Sequence, residues 1–118
     1  MTLDEFFAGR DDSRQLFDVL RIAIEAIGPV QLRTGKSQVS FRRRRAFAWV
    51  WIPARYLRGK HAPLVLTISL NRRDTSSRWK ETVGPLSGRF THHLELQALS
   101  DIDAEVAGWL REAWEAAA

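Results

Sequence analysis

The chain has 118 residues, 45% of them hydrophobic, and no cysteine, which predicts one domain with a buried core and excludes disulfides and thiolate metal sites. Its net charge of +4 is unevenly spread: residues 1–32 hold three basic and six acidic side chains, residues 33–80 thirteen and one, and residues 81–118 two and seven. This distribution favours a negatively charged partner near the middle of the chain, although basic side chains also simply solubilise a sheet.

The N-terminal residues predict two helices. Thr2 and Glu5 have the spacing of a capping box, which indicates a short helical turn. Asp12 or Ser13 is expected to cap a longer helix that continues to about Ile27. One face of this helix is apolar because its hydrophobic residues recur three and four positions apart: Leu16, Leu20, Ala23, Ile24 and Ile27.

Alternating or continuous apolar runs predict five strands, at residues 30–33, 37–42, 46–52, 64–70 and 90–97. Residues 71–88 are expected to form a long connection. Ser100 is expected to cap a last helix with an apolar stripe from Ile102 to Trp114. The sequence therefore predicts a single α+β domain over residues 1–118, a two-layer sandwich with the order helix, five-stranded antiparallel sheet, helix.

The aromatic residues of the central strand decide what the sheet can bind. Strict alternation places Phe47, Trp49 and Trp51 on one side of this strand. Because large aromatic side chains are usually buried, we expect them under the helices. In the alternative arrangement they lie on the open face among arginines, where aromatic rings and cations suit stacking on bases and binding of phosphates. If they are buried, we expect the long connection with Trp79 to fold over the open face and to form a pocket with Arg42, Arg44, Arg78 and Lys80.

The two adjacent histidines are expected to have different surroundings, because neighbouring residues of a strand face opposite sides. His92 falls among apolar residues and is expected to be a hydrogen-bonded core residue. His93 falls on the polar side beside Glu95, where it is a candidate general acid or base. The pair cannot share a metal ion without a bulge, and we expect no metal site and no cofactor.

Candidate ligand-binding residues are those polar, charged or aromatic side chains that the open face and the long connection would present to an anion. They are Lys36, Gln38, Arg42, Arg44, Trp49, Arg78, Lys80 and His93. The run of arginines at 42–45 has a second explanation, because charge also protects an exposed sheet edge from aggregation.

Residues 36–50, with the letters KSQVSFRRRRAFAWV, resemble an uncharacterised bacterial family described only as a domain of unknown function. The resemblance continues at residues 89–93 and at residues 109–114, so it covers nearly the whole chain. It implies little about activity, since the family has no agreed activity. Some relatives are described loosely as predicted transport proteins. The element order is also similar to that of frataxin-like proteins, which is an analogy of fold alone.

We expect a non-enzymatic module that binds an anionic ligand, either nucleic acid or a phosphorylated small molecule. Two alternatives stay open: an enzyme that uses His93 with Lys36 or Glu95, and a homodimer formed through the open face. The apolar runs at 46–53 and 62–66 are too short to cross a bilayer, and the acidic N-terminus does not resemble a secretory signal. We therefore expect a cytoplasmic protein without membrane contact.

Overall fold

A computed structural model describes all residues from Met1 to Ala118. The helices are α1 (Leu3–Phe6), α2 (Asp11–Glu25) and α3 (Ala104–Ala116). The strands are β1 (Gln31–Thr34), β2 (Val39–Arg42), β3 (Ala46–Trp51), β4 (Leu64–Leu70), β5 (Glu81–Leu86) and β6 (Arg89–Leu96). Short 3₁₀ turns lie at Pro53–Arg55 and Leu99–Asp101. None of the helices combines the length and the apolar character needed to cross a lipid bilayer.

The sheet has six strands in the order β1-β2-β3-β4-β6-β5, with every neighbouring pair antiparallel, so the expectation of five strands is wrong. The additional strand, β5, lies within the long connection. Ser87 and Gly88 join it to β6 and both have positive φ, 52° and 74°, as in a tight hairpin turn. Pro85 is typical of irregular segments, and it is tolerated here because β5 is an edge strand.

The helix ends depend on different kinds of cap. Thr2 and Glu5 form the predicted capping box, each accepting a hydrogen bond from the other's backbone N–H. The cap of α3 is Asp103, whose carboxylate accepts from the N–H of Val106 at 3.1 Å; Ser100, the predicted cap, lies in the preceding 3₁₀ turn. Helix α2 begins at Asp11 without a side-chain cap and ends at Glu25, earlier than expected.

Both long helices pack against β4 and against each other. Strand β4 is buried along its whole length, and alternate residues join the helices in one apolar core. Burial of each large apolar side chain contributes roughly 1.5–3 kcal/mol to folding, which makes this layer the main source of stability. Its fully buried members include Phe17, Leu20, Ile24, Phe41, Leu64, Leu66, Ile68, Leu70 and Leu110.

A β-bulge at Phe47 divides the aromatic residues of β3 between the two sides of the sheet. Phe41 lies opposite Ala48 and the next residue of β2, Arg42, lies opposite Ala46, so Phe47 is an extra residue. Phe47 is only 1% exposed and belongs to the core. Trp49 and Trp51 instead lie on the other side, where they are partly exposed. The expectation that all three rings share one side and are buried is therefore wrong, because the bulge breaks the alternation.

The arginine run contributes to the fold through Arg43. Its guanidinium lies 3.5 Å from the ring centroid of Trp114 and donates to the backbone oxygen of Trp114 at 3.0 Å, near the C-terminus of α3. The indole N–H of Trp114 donates in turn to the backbone oxygen of Pro29 at 3.0 Å. A cation is favourable at this end of a helix, so Arg43 and Trp114 join α3 to β2 and to the segment after α2.

The first part of the long connection is held on the helix side by Asp74. Its carboxylate accepts from the Trp79 indole N–H at 2.7 Å and from the guanidinium of Arg72 at 2.8 Å. Trp79 packs against His92 and Trp109, with ring centroids 4.9 Å and 4.2 Å away. The expectation that Trp79 folds over the open face of the sheet is therefore wrong.

His92 is fully buried and neutral. The backbone N–H of Asp74 donates to its Nε2 at 3.0 Å, which leaves the proton on Nδ1, close to the oxygen of Ile68 at 3.3 Å. Burial lowers the pKa of His92 below the ordinary 6.5, and protonation of Nε2 would also break the bond from Asp74.

We predict that Gly28→Ala destabilises the protein by about 1–3 kcal/mol, since an added Cβ would overlap the ring of Trp114. Urea unfolding followed by tryptophan fluorescence measures the effect. Gly59→Ala offers a comparison without a clash, because nothing lies near that position, although its φ of 86° adds backbone strain. A double variant, Gly28→Ala with Trp114→Leu, should lose much of the Gly28 effect; an unchanged penalty would contradict the assigned contact.

We predict that acidification from about pH 7.5 to about pH 5.5 lowers the free energy of unfolding. The pKa of His92 is lowered in the folded chain, so in this interval the unfolded chain binds more protons and gains stability relative to the folded one. Urea titrations at several pH values measure the slope. The slope should become shallower in His92→Gln; equal slopes for both proteins would rule out His92 as its source.

Candidate functional site

A row of side chains crosses the side of the sheet opposite the core. Residues that pair directly across antiparallel strands present their side chains on the same side. From β1 to β5 the pairing gives Arg33, Ser40, Trp49, Thr67, His93 and Glu81 in succession. We call this side the tryptophan face; its neighbouring row contains Trp51, Val65 and Glu95.

His93 is oriented by β4. Its Nδ1 lies 2.7 Å from the Thr67 hydroxyl oxygen, and its Nε2 points towards Glu81, with 4.0 Å between Nε2 and Oε1. A carboxylate on that side favours a proton on Nε2, so we assign the Thr67 hydroxyl as the donor to Nδ1. Burial lowers the pKa of His93, although Glu81 opposes the shift, and the imidazole is therefore neutral at neutral pH.

Two depressions lie on the tryptophan face. The first, about 270 Å³, is lined by Trp51, Pro53, Leu57, Val65, Lys80, Glu81 and His93, and we call it the His93 pocket. The second, about 400 Å³, includes Arg45, Trp49, Ser69, Val83, Leu86, Arg89 and Thr91 among its lining residues, and we call it the Arg45 depression. Trp51 and Trp49, two residues apart on β3, therefore each border a different depression.

The two depressions differ in charge, because two arginines and no acidic residue line the Arg45 depression, whereas Lys80 and Glu81 both line the His93 pocket. Arg45 and Arg89 both line the Arg45 depression, and the buried Nε of Arg45 has no hydrogen-bond partner within the chain. In the His93 pocket, the Lys80 ammonium lies 3.4 Å from the Glu95 carboxylate, an exposed pair of small energetic weight. The Arg45 depression is thus the more cationic of the two.

The rim of the face carries exposed apolar side chains. Tyr56 and Leu57 are 56% and 45% exposed beside the His93 pocket, and the ring centroids of Tyr56 and Trp51 are 6.4 Å apart. Val83 and Leu86 are 49% and 79% exposed beside the Arg45 depression. These four residues are among the most exposed large hydrophobic side chains of the chain.

Of the residues predicted to bind a ligand, three lie on the tryptophan face: Trp49, Lys80 and His93. The backbone N–H of Lys80 also donates to the oxygen of His93 at 2.8 Å, which fixes the start of β5 beside β6. Glu95, the suggested partner of an enzymatic His93, lies on the same face, whereas Lys36 is in the turn between β1 and β2.

The other predicted residues lie elsewhere. Lys36 and Gln38 belong to the β1–β2 turn, where the oxygen of Lys36 accepts from Arg55 at 3.2 Å. Arg42 and Arg44 line a separate depression of about 380 Å³ with Pro29 and Gln31. Arg78 lies on the helix side.

Arg78 is surrounded by acidic groups of the last helix. It forms ion pairs of 2.9 Å with Asp103 and 2.8 Å with Glu105, and these neighbours raise its pKa. Arg72 is likewise paired, with Glu112 and Asp74 at 2.8 Å each. Arg72 and Arg78 are therefore neutralised within the fold and do not contribute to a free cationic surface.

Trp51, Arg45, Arg89 and Glu81 were not among the predicted binding residues. Trp51 could have been found from Trp49, because residues two apart on a strand share a side. Glu81 could not, since it faces His93 only through a strand that the sequence did not reveal. The structure contains no group of three metal-ligating side chains.

Comparison with known protein families shows the family to which the chain belongs. The model of a family described as "Domain of unknown function (DUF5655)" matches residues 3–117. The chain belongs to the DUF5655 family. This confirms the resemblance to a domain of unknown function that the sequence indicated. No curated protein and no solved structure shows significant similarity to the chain.

We predict that Thr67→Val removes the hydroxyl that holds Nδ1 of His93 while keeping the shape of the side chain. The ¹⁵N chemical shifts of the imidazole should move away from a single Nε2–H tautomer towards a mixture. NMR of ¹⁵N-histidine-labelled protein measures this, with Thr91→Val as a matched control on the same face. A shift of equal size in the control would contradict the assignment.

Proposed function

We propose that this DUF5655 domain is a non-enzymatic binding module for single-stranded nucleic acid, and that the ligand lies along β3 on the tryptophan face. The observation that carries the proposal is the position of Trp49 and Trp51, partly exposed on the side of the sheet opposite the core and bordered by basic side chains. Rings in this setting stack on bases whatever their identity, while cations hold the phosphates.

The spacing of the two tryptophans suits successive nucleotides. Residues two apart on a strand are separated by about 7 Å, and their side chains stand on the same side. Such rings can stack on neighbouring bases of an extended strand, at roughly 1–3 kcal/mol per base. Tyr56, near Trp51, adds a further ring at one end of this path.

Basic residues of the tryptophan face border the path that the phosphates of the bound nucleic acid would take. Arg45 and Arg89 border the depression next to Trp49, and Arg33 lies in the same cross-sheet row.

A single-stranded nucleic acid explains the distance between the basic and aromatic residues of the face better than a phosphorylated small molecule does. Arg45 and Trp51 are six residues apart, so their backbones are separated by roughly 20 Å along an extended strand. A ligand that uses both ends of the face must therefore be longer than a mononucleotide. Free nucleotides provide the corresponding arm of the test.

The tryptophan face must be open to a ligand. In a two-layer arrangement with α2 and α3 on one side of the sheet, the other side is left for a ligand. The packing of both helices against β4 and against each other supports this arrangement. The exposed apolar rim supports it as well.

We predict that the protein binds a fluorescein-labelled thymidine decamer at low salt, and that binding weakens as salt rises, because phosphate contacts release counterions. Trp49→Ala should weaken binding about tenfold through loss of one stacked base. Fluorescence anisotropy titrations measure both effects, and thymidine monophosphate should compete poorly.

Charge controls distinguish a site from general attraction. Arg45→Ala should lower the slope of log affinity against log salt by about 0.7, as expected for one phosphate contact on a single strand. Arg111→Ala removes the same charge from the exposed side of α3 and should leave the slope unchanged. Absence of binding at low salt, or equal effects of the two arginine variants, would refute the proposal.

A further inference from the structure

We infer that the His93 pocket selects guanine from among the bases of the bound strand, through Glu81. This inference rests on the proposed function and adds sequence preference to it. The pocket combines a stacking ring with polar groups at its edge, which is the arrangement that reads the edge of an unpaired base.

The polar groups of the pocket form a defined pattern of donors and acceptors. The Glu81 carboxylate offers two acceptor oxygens and is 67% exposed, so it can turn towards a ligand. His93 offers an Nε2–H donor, and Lys80 offers an ammonium group. The 4.0 Å between Nε2 of His93 and Oε1 of Glu81 is longer than a hydrogen bond, so neither group is committed to the other.

The other wall of the pocket is suited to a flat ring. Trp51 supplies an aromatic surface, and the apolar side chains of Pro53, Leu57 and Val65 line the pocket beside it. Val65 is only 2% exposed and lies directly opposite Trp51 on β4. A base stacked on Trp51 would therefore direct its polar edge towards β5 and β6, where Glu81 and His93 lie.

Guanine matches this pattern on its Watson–Crick edge. Its N1–H and N2 amino groups are adjacent donors that a carboxylate accepts in bidentate fashion, and its O6 accepts from His93 or Lys80. Adenine, cytosine and thymine each present a single donor group on this edge. Any of these bases leaves one carboxylate oxygen without a base donor, which gives guanine the advantage.

The experiment compares thymidine decamers that carry one central guanine, adenine or cytosine, using fluorescence anisotropy with the full chain. The guanine decamer should bind about tenfold more tightly than the all-thymidine decamer, as expected for one bidentate contact. The affinities of the adenine and cytosine decamers should lie within about threefold of the affinity of the all-thymidine decamer.

Glu81→Gln replaces one acceptor oxygen by a donor and should reduce the guanine preference to within about twofold. Glu115→Gln removes the same charge from an exposed position of α3, away from the pocket, and should keep the preference, so it controls for net charge. Circular dichroism and thermal unfolding establish that both variants fold.

The outcomes separate this inference from the proposed function. Equal binding of all decamers, weakened by Trp49→Ala, would overturn guanine selection and leave nucleic-acid binding intact. A guanine preference that survives Glu81→Gln would overturn the role of Glu81. Failure of every decamer to bind would refute the proposed function itself, and the inference with it.

Discussion

The bulge at Phe47 is the constraint on which the rest of the binding face depends. By adding one residue to β3 opposite β2, it turns Phe47 into the core while Trp49 and Trp51 stay on the other side of the sheet. Without the bulge, strict alternation would place all three rings on one side. The same strand thus supplies a fully buried ring to the hydrophobic core and two partly exposed rings to the candidate site.

Two ion-paired arginines and two unpaired arginines lie on opposite sides of the sheet. Acidic residues on and before α3 neutralise Arg72 and Arg78, and they hold the first half of the long connection against the helices. Arg45 and Arg89 lie on the other side, beside Trp49. Neither Arg45 nor Arg89 forms an ion pair with a carboxylate of the chain, so two unpaired cations lie beside the partly exposed Trp49. This coincidence of rings and unpaired cations gives the nucleic-acid proposal its physical basis.

The neighbouring histidines show how one strand serves both the core and the surface. His92 is fully buried, packs against Trp79 and is held by backbone groups at both ring nitrogens. His93, one residue further, is anchored by Thr67 at Nδ1 and directs Nε2 towards Glu81 in a solvent-accessible pocket. Burial lowers the pKa of both histidines. His92 is thereby kept as a neutral side chain of the core, and His93 as a neutral hydrogen-bonding group of the pocket.

Features that depend on residues close together in the chain could be predicted from the sequence. They include the α+β class, the capping box of Thr2 and Glu5, the strand at Leu64–Leu70 and the opposite surroundings of His92 and His93. Features that depend on the pairing of distant residues became visible in the folded chain. Strand β5 forms because β6 is available to pair with it, despite Pro85 and Gly84. The bulge at Phe47 is a matter of register between two strands, and the neutralisation of Arg78 requires α3 to lie beside it. These contacts join residues far apart in the chain, so neither local propensity nor hydrophobic pattern contains the information that fixes them.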